Sequence, residues 1–380
     1  MRYYDCQTGA ISRESCRQEL YVTESSQTYH QLYHLGTFAV IHPDTGVEQT
    51  LTTNSFGLRG PEITVPKPQG TFRILCLGDE RVLAAETADN KTFSQRLQHL
   101  LQTRTRVHVE VVNAGLPGAS PLISYLQLRQ NLVGLQPDLI LLNFDMSDIA
   151  DDYHCRPFVK MGAGNIPLAC VHPALTGRMV EKNKSRTPPF LLVDWGTHQF
   201  EKLIKPASKQ RDADDINAAA GRYAWIRDNP PDWSMYIQQS LIPIQQIQEL
   251  ADGVYAKMIV ATFPAPWQAS ASATNNKDIC ESCGIEAGKL YDSRVPFDML
   301  AKFSQQHQIQ YCDASPYVMQ LEKPEQFYLQ NAIRLSEKGH ELYARVLASF
   351  IVSRIPGDWS PSRRPPVDAT ARKNGRSQRQ

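Results

Sequence analysis

No apolar stretch in this sequence is long enough to cross a bilayer. The longest runs, ILCL at 74–77, LILL at 139–142 and MIVATF at 258–263, stop far short of the roughly 20 residues a spanning helix needs. Charge of one sign is also missing. Forty Lys and Arg against 39 Asp and Glu leave a formal net charge of +1, so global charge gives no reason to expect nucleic acid or an anionic membrane as a partner. The opening stretch MRYYDCQTGAISRESC lacks an apolar core, so no secretory signal is expected in the chain as it stands, and the cytoplasm is the default compartment. Cysteine is sparse, with 8 in 380 residues, which excludes a disulfide scaffold. Cys280 and Cys283 form one CxxC, and no second CxxC exists to complete a four-ligand zinc site. A local disulfide and two thiols remain the readings for that pair. No metal or other cofactor is expected.

What is present is enough to bury a core: 42% of residues are hydrophobic and 21% charged. The length fits one large domain with appendages, or two domains. Residues 1–70, rich in Tyr, Thr, Gln and Gly, read as an irregular, partly β extension. A regular alternation then begins. Phe72–Leu77 and Val107–Val112 read as strands, and Thr92–Leu101 as a helix between them. Pro121–Leu135, with leucines at 122, 126, 128, 132 and 135, reads as a helix. Asp138–Phe144 is a continuous apolar run, as expected of a strand buried on both faces. From about 150 to 232 the pattern pauses in a long insertion. Helix and strand resume at Tyr236–Leu250, Tyr255–Phe263, Phe297–Gln306, Ile309–Cys312 and Ser336–Ser353. Five β-runs separated by helices predict a five-stranded parallel sheet in a three-layer α/β sandwich over residues 71–355. The polar, Pro-rich segment 356–380 reads as a disordered tail.

In an open parallel sheet, chemistry gathers at the carboxyl ends of the strands. Gly78-Asp79-Glu80-Arg81 follows the first strand, and Asn113-Ala114-Gly115-Leu116-Pro117-Gly118-Ala119-Ser120 the second. Asp145-Met146-Ser147-Asp148 follows the third, and Pro264-Ala265-Pro266-Trp267 the fourth. Together these segments resemble the SGNH (GDSL-type) hydrolases over about residues 50–352. TNSFGLRGPE (53–62) is similar to a lead-in of one bacterial branch. FRILCLGDE, VVNAGLPGAS and PDLILLNFDMSD are similar to the family's first three blocks, and LSEKGHELYARVL (335–347) to the segment after its catalytic histidine. The order and spacing of the blocks carry the resemblance, which also implies a flavodoxin-like fold.

The resemblance implies an esterase in which a serine attacks an acyl carbonyl, a histidine takes its proton and an aspartate orients the histidine. The oxyanion is then held by the serine amide, a glycine amide and an asparagine side chain. Carried over position by position, the nucleophile is Glu80, the oxyanion glycine is Gly118, the oxyanion asparagine is Ser147, the histidine is Arg334 and its aspartate is Asn331 (Ala332 on the shorter spacing). Only the glycine survives. A carboxylate is a weak nucleophile toward esters, and an arginine stays protonated and cannot serve as a base. Glu80 and Arg334 are expected to form an ion pair where serine and histidine would touch.

Asp79 and Asp148 are family residues with structural roles, and Asp145 is new beside them. Acids at 79, 80, 145 and 148 leave open a carboxylate or metal site at Glu80 and Asp145. A divergent active esterase would need a recruited pair, such as Ser120 or Ser147 with His340 or His154. His340 reads first as a packing residue, and Trp267 as either a packed turn residue or a stacking surface for sugar. The leading expectation is a pseudoenzyme that binds a carbohydrate, an acyl compound or a protein partner, with Glu80, Gly118, Ser147, Asn331 and Arg334 at its pocket and Asp79, Asp145, Asp148 and Trp267 in support.

Overall fold

The computed structural model describes residues 21–175, 223–227, 234–274 and 276–355. The tail from 356 and most of the insertion lie outside the described residues. Four short strands come first among the described residues. β1 (Val22–Glu24) pairs antiparallel with β2 (His30–Leu32), and β3 (Thr37–Ile41) with β4 (Glu48–Thr52). The alternation follows with β5 (Thr71–Gly78), β6 (His108–Gly115) and β7 (Leu139–Phe144). A small hairpin, β8 (Val159–Met161) with β9 (Pro167–Cys170), comes before β10 (Lys257–Thr262) and β11 (Gln310–Asp313). The central sheet is parallel, in the order β11-β10-β7-β5-β6. The five expected β-runs are its five strands.

The apolar runs form these strands because both faces of the sheet are covered. Along β7, Leu139 and Leu141 pack on one side, with Phe93, Leu97, Leu101 and Leu347 from the helices Phe93–Gln102 and Glu337–Arg354. Ile140 and Leu142 pack on the other, with Leu122, Ile244 and Phe297 from Pro121–Gln127, Ser234–Gly253 and Val295–Gln306. Full burial of each such side chain stabilises by about 1.5–3 kcal/mol relative to exposure. The N-terminal strands share this second layer, because Tyr21, Val22, Leu32, Leu51 and Leu58 are buried in it.

One expected helix is less regular than its leucine spacing implies. Pro121–Gln127 is α-helical, but Leu128–Leu132 winds as a π-turn and Val133–Leu135 as a 3-10 turn. Pro137 lies just beyond and disfavours a helical residue before it, which ends the helix there. Cys280 and Cys283 are both buried and are not bonded to each other; the Cys280 thiol lies 3.4 Å from the Thr274 carbonyl oxygen. Among the described residues, no helix is long and apolar enough to cross a membrane.

β5 is the point where the sheet order reverses, with β6 on one side and β7 on the other. The crevice beyond its carboxyl end is therefore where a site is expected. Gly78-Asp79-Glu80 occupies that position.

Candidate functional site

Asp79 caps the one-turn helix Glu80–Leu83 by accepting the Arg81 amide at 2.9 Å. This turn packs closely on β6: a Cβ added at Gly115 would lie 2.2 Å from the Leu83 nitrogen, so only glycine fits there. The Glu80 side chain leaves the turn toward the second block. Its Oε2 accepts the Gly118 amide at 3.0 Å. Gly118 sits at the second central position of a turn closed by the Ala119 amide on the Leu116 carbonyl, 3.0 Å. Its φ of +62° is left-handed, and Pro117 precedes it, the pairing a type II turn asks for.

The same peptide unit is held from its other end. His30, on β2, donates from Nε2 to the Pro117 carbonyl oxygen. Burial, the largest effect, lowers the pKa of His30 to about 4; the Pro117 contact and Glu80 act against it, and His172 adds to it. His30 is therefore neutral at pH 7, with its one ring proton committed to Pro117. Tyr29 and His172 flank it, their ring centroids 4.7 Å apart.

A second polar cluster lies deeper. Asp145 accepts the Ser147 hydroxyl at 3.1 Å and the Tyr223 hydroxyl at 3.2 Å, and its Oδ2 is 3.1 Å from Arg81 Nη2. Burial works against the charge on Arg81, but Asp145, Tyr223 and Asp79 outweigh it and hold the guanidinium protonated. Asp148 accepts the Asp145 amide at 3.0 Å. Burial first, then the Asp79 and Asp145 charges, push the Asp148 carboxyl well above the usual range, which favours its protonated form. The cavity among Asp79, Arg81, Asn143, Asp145 and Tyr343 is about 20 Å³, room for about one water molecule.

The structure thus brings some expected residues together and separates others. Glu80 meets Gly118, and Asp79, Asp145, Ser147 and Asp148 share the deeper cluster. Ser147 is fully buried, with its hydroxyl donated to Asp145. Arg334, expected opposite Glu80, places its Nη1 on Glu86 Oε2 at 2.8 Å. Glu86 is 1% exposed, and a buried carboxylate so close draws the guanidinium strongly. Asn331 is exposed and holds Asn276 at 3.3 Å through its side chain, while its amide donates to Asp44 at 2.8 Å.

Among the described residues, no hydrogen bond joins Ser120 or Ser147 to His340. The Ser120 hydroxyl is buried with no hydrogen-bond partner among the described residues. His340 accepts the Phe93 amide at Nδ1, 3.3 Å, and faces Thr87 Oγ1 at 3.4 Å through Nε2. Burial, then Arg59 and Arg96, lower its pKa to about 3, as befits a neutral packing residue. Trp267 is fully buried edge-on against Tyr223, centroids 5.3 Å apart, so it presents no face for sugar stacking. Glu80 and Asp145 go to different partners, and among the described residues no group of three His, Cys, Asp or Glu is placed to hold a metal ion.

Sequence reasoning missed His30, Arg81, Glu86 and Tyr223. For Tyr223 a signal existed: YAWI (223–226) is an aromatic and apolar run following the charge-rich stretch 201–215. Tyr223, Trp225 and Ile226 are buried, and Trp225 Nε1 donates to the Met146 carbonyl at 2.7 Å. This short piece of the insertion covers the third block. Arg81 also had a signal, sitting beside Glu80 among apolar neighbours. His30 had none, since its role depends on where the N-terminal strands dock.

No protein-family model matches the chain, and no curated protein matches it in sequence. Solved structures similar to it include GDSL-type lipases, acylhydrolases and esterases. A lipase/acylhydrolase from Enterococcus faecalis shares 12% identity over 74% of this chain and 96% of its own, with a TM-score of 0.39. A GDSL-like lipase from Bacteroides thetaiotaomicron shares 10% over 74% and 88%, TM-score 0.37. A variant of an acetyl-xylooligosaccharide esterase from Geobacillus shares 11% over 77% and 97%, TM-score 0.37.

Proposed function

We propose that this chain is an SGNH-type protein whose ester-hydrolysing machinery has been dismantled, and that it acts by binding. In this reading residues 71–355 form the hydrolase-like unit, and residues 21–70 brace it. One observation carries the proposal: the Gly118 amide, which would stabilise an acyl oxyanion, donates instead to the Glu80 carboxylate. A fixed negative charge at that amide opposes any developing oxyanion. Among the described residues, Arg334 is a cation paired with Glu86 and His340 is enclosed, so neither acts as the base the missing histidine would supply. Ser147 supplies no second oxyanion donor.

Tight packing of Tyr223, Trp225 and Trp267 around the third and fourth blocks favours a protein partner over a small carbohydrate or acyl ligand. The test is turnover of a short-chain chromogenic acyl ester, beside pull-down by the immobilised chain from lysate, repeated with Glu80→Ala and Arg334→Ala. Absence of turnover with a partner retained supports the proposal. Saturable turnover by the wild-type chain contradicts it. An active-esterase reading finds no geometric support among the described residues.

A further inference from the structure

We propose that the Pro117–Gly118 peptide is a carboxylate-binding unit, held in its binding orientation by His30 and filled in the resting protein by Glu80. The inference rests on the proposed loss of hydrolysis but concerns what the retained amide now does. The two hydrogen bonds lie on opposite ends of a single peptide group. His30 Nε2 donates to its carbonyl, and its N–H donates to Glu80 Oε2 at 3.0 Å. In a trans peptide these two groups point in opposite directions within one plane, so His30 and Glu80 hold the peptide from its two opposite edges. Hydrogen bonds linked in this way polarise one another, and the donation by His30 strengthens the N–H as a donor to an anion.

The peptide could otherwise rotate, because type I and type II turns differ by the direction of their central peptide. The His30 contact fixes the direction in which the N–H faces Glu80. His30 is thus a positioning residue for this amide. The flank of Gly118 is also open, since a Cβ built on it meets nothing within 4 Å. His30 arrives on β2, whose Leu32 is buried in the core, so its position is anchored.

The ligand class follows from the side chain already in place. Shortening Glu80 to alanine keeps its Cβ and removes a CH₂–COO⁻ fragment. That fragment has the size, shape and charge of acetate. A small monocarboxylate should therefore enter the emptied space and accept the Gly118 amide as Glu80 does.

The test is acetate binding to Glu80→Ala, followed by thermal unfolding and by the Gly118 amide resonance, with chloride at equal ionic strength as control. Acetate is expected to raise the unfolding midpoint of Glu80→Ala saturably and to shift the Gly118 resonance, and to do neither in the wild type. In Glu80→Ala/His30→Ala the acetate affinity is expected to fall at least tenfold. No acetate response in folded Glu80→Ala, an equal response in the wild type, or full affinity without His30 would each overturn the proposal. If Glu80→Ala does not fold, Glu80→Gln serves: its neutral amide should move the Gly118 amide proton upfield of the wild type, and an unmoved resonance overturns the inference. Ester turnover by the wild type would defeat the proposed function while leaving this binding test intact, so the two failures are distinguishable.

Discussion

Glu80 and Gly118 are joined by a 3.0 Å hydrogen bond between a carboxylate and a left-handed glycine amide, across 38 residues of chain. The bond links the end of β5 to the loop after β6, the two sides of the crevice where the sheet order reverses. Each partner constrains the other: the glycine supplies a backbone donor that its left-handed geometry presents outward, and the glutamate carboxylate occupies that donor.

The first prediction concerns restoration. The combined variant Glu80→Ser, Ser147→Asn, Asn331→Asp, Arg334→His is expected to stay inactive on acyl esters even when folded. Position 147 is buried against Asp145 and position 331 is exposed beside Asn276, so restoring residue types does not restore their directions. Ser147→Asn alone should cost about 1–3 kcal/mol through overpacking. Ester assay and urea unfolding check the two parts.

The second concerns the Arg334–Glu86 pair. Arg334→Ala leaves the Glu86 carboxylate, 1% exposed, without the guanidinium 2.8 Å from it. A loss of about 1–3 kcal/mol is expected. Arg334→Ala combined with Glu86→Gln should cost less than Arg334→Ala alone, because the buried charge is gone. A double-mutant cycle by urea unfolding measures this.

Much of this arrangement was legible in the sequence, and the limits have physical causes. The strand at 139–144 announces itself because a strand covered on both faces reads as a near-continuous apolar run, and those at 71–78 and 108–115 through their apolar and β-branched residues. The Glu80–Gly118 crevice follows from strand order, since carboxyl ends of parallel strands converge on one edge. Side-chain partners were less legible. Arg334 could be matched to Glu80 by family position, yet its contact with Glu86 depends on burial, which a linear sequence does not carry. His30 reaches Pro117 from 87 residues away only because the N-terminal strands pack in the same core as the sheet.

The third prediction is a pH dependence from histidine. His340 has its pKa lowered to about 3 and His30 to about 4. Unfolded, both bind protons near the ordinary value of 6.5, so the unfolded state holds more protons below that pH. Their contribution is full above about 6.5 and is lost as pH falls toward 4 and then 3. Each adds a slope of at most about 1.4 kcal/mol per pH unit. His340→Gln should flatten the acid limb of stability against pH, followed by urea midpoints from pH 7 to 4.

The fourth has the opposite sign. Asp148 has its pKa raised above the ordinary 3.8, so the folded state holds the extra proton. Its effect on stability is therefore unfavourable above 3.8, growing as pH rises toward the folded value. Asp148→Asn mimics the protonated form and can still accept the Asp145 amide. It is expected to stabilise the protein by about 1 kcal/mol at pH 7 and to make no difference near pH 3. Paired urea curves at the two pH values decide it.

The central claim is that groups unable to attack or to shuttle protons now occupy the acyl-transfer positions. Initial-rate measurement on a short-chain chromogenic acyl ester, with wild type and Glu80→Ala side by side across enzyme concentration, tests it most directly. The expected result is that neither protein exceeds the buffer rate. Saturable turnover that scales with wild-type protein and is lost in Glu80→Ala would contradict it.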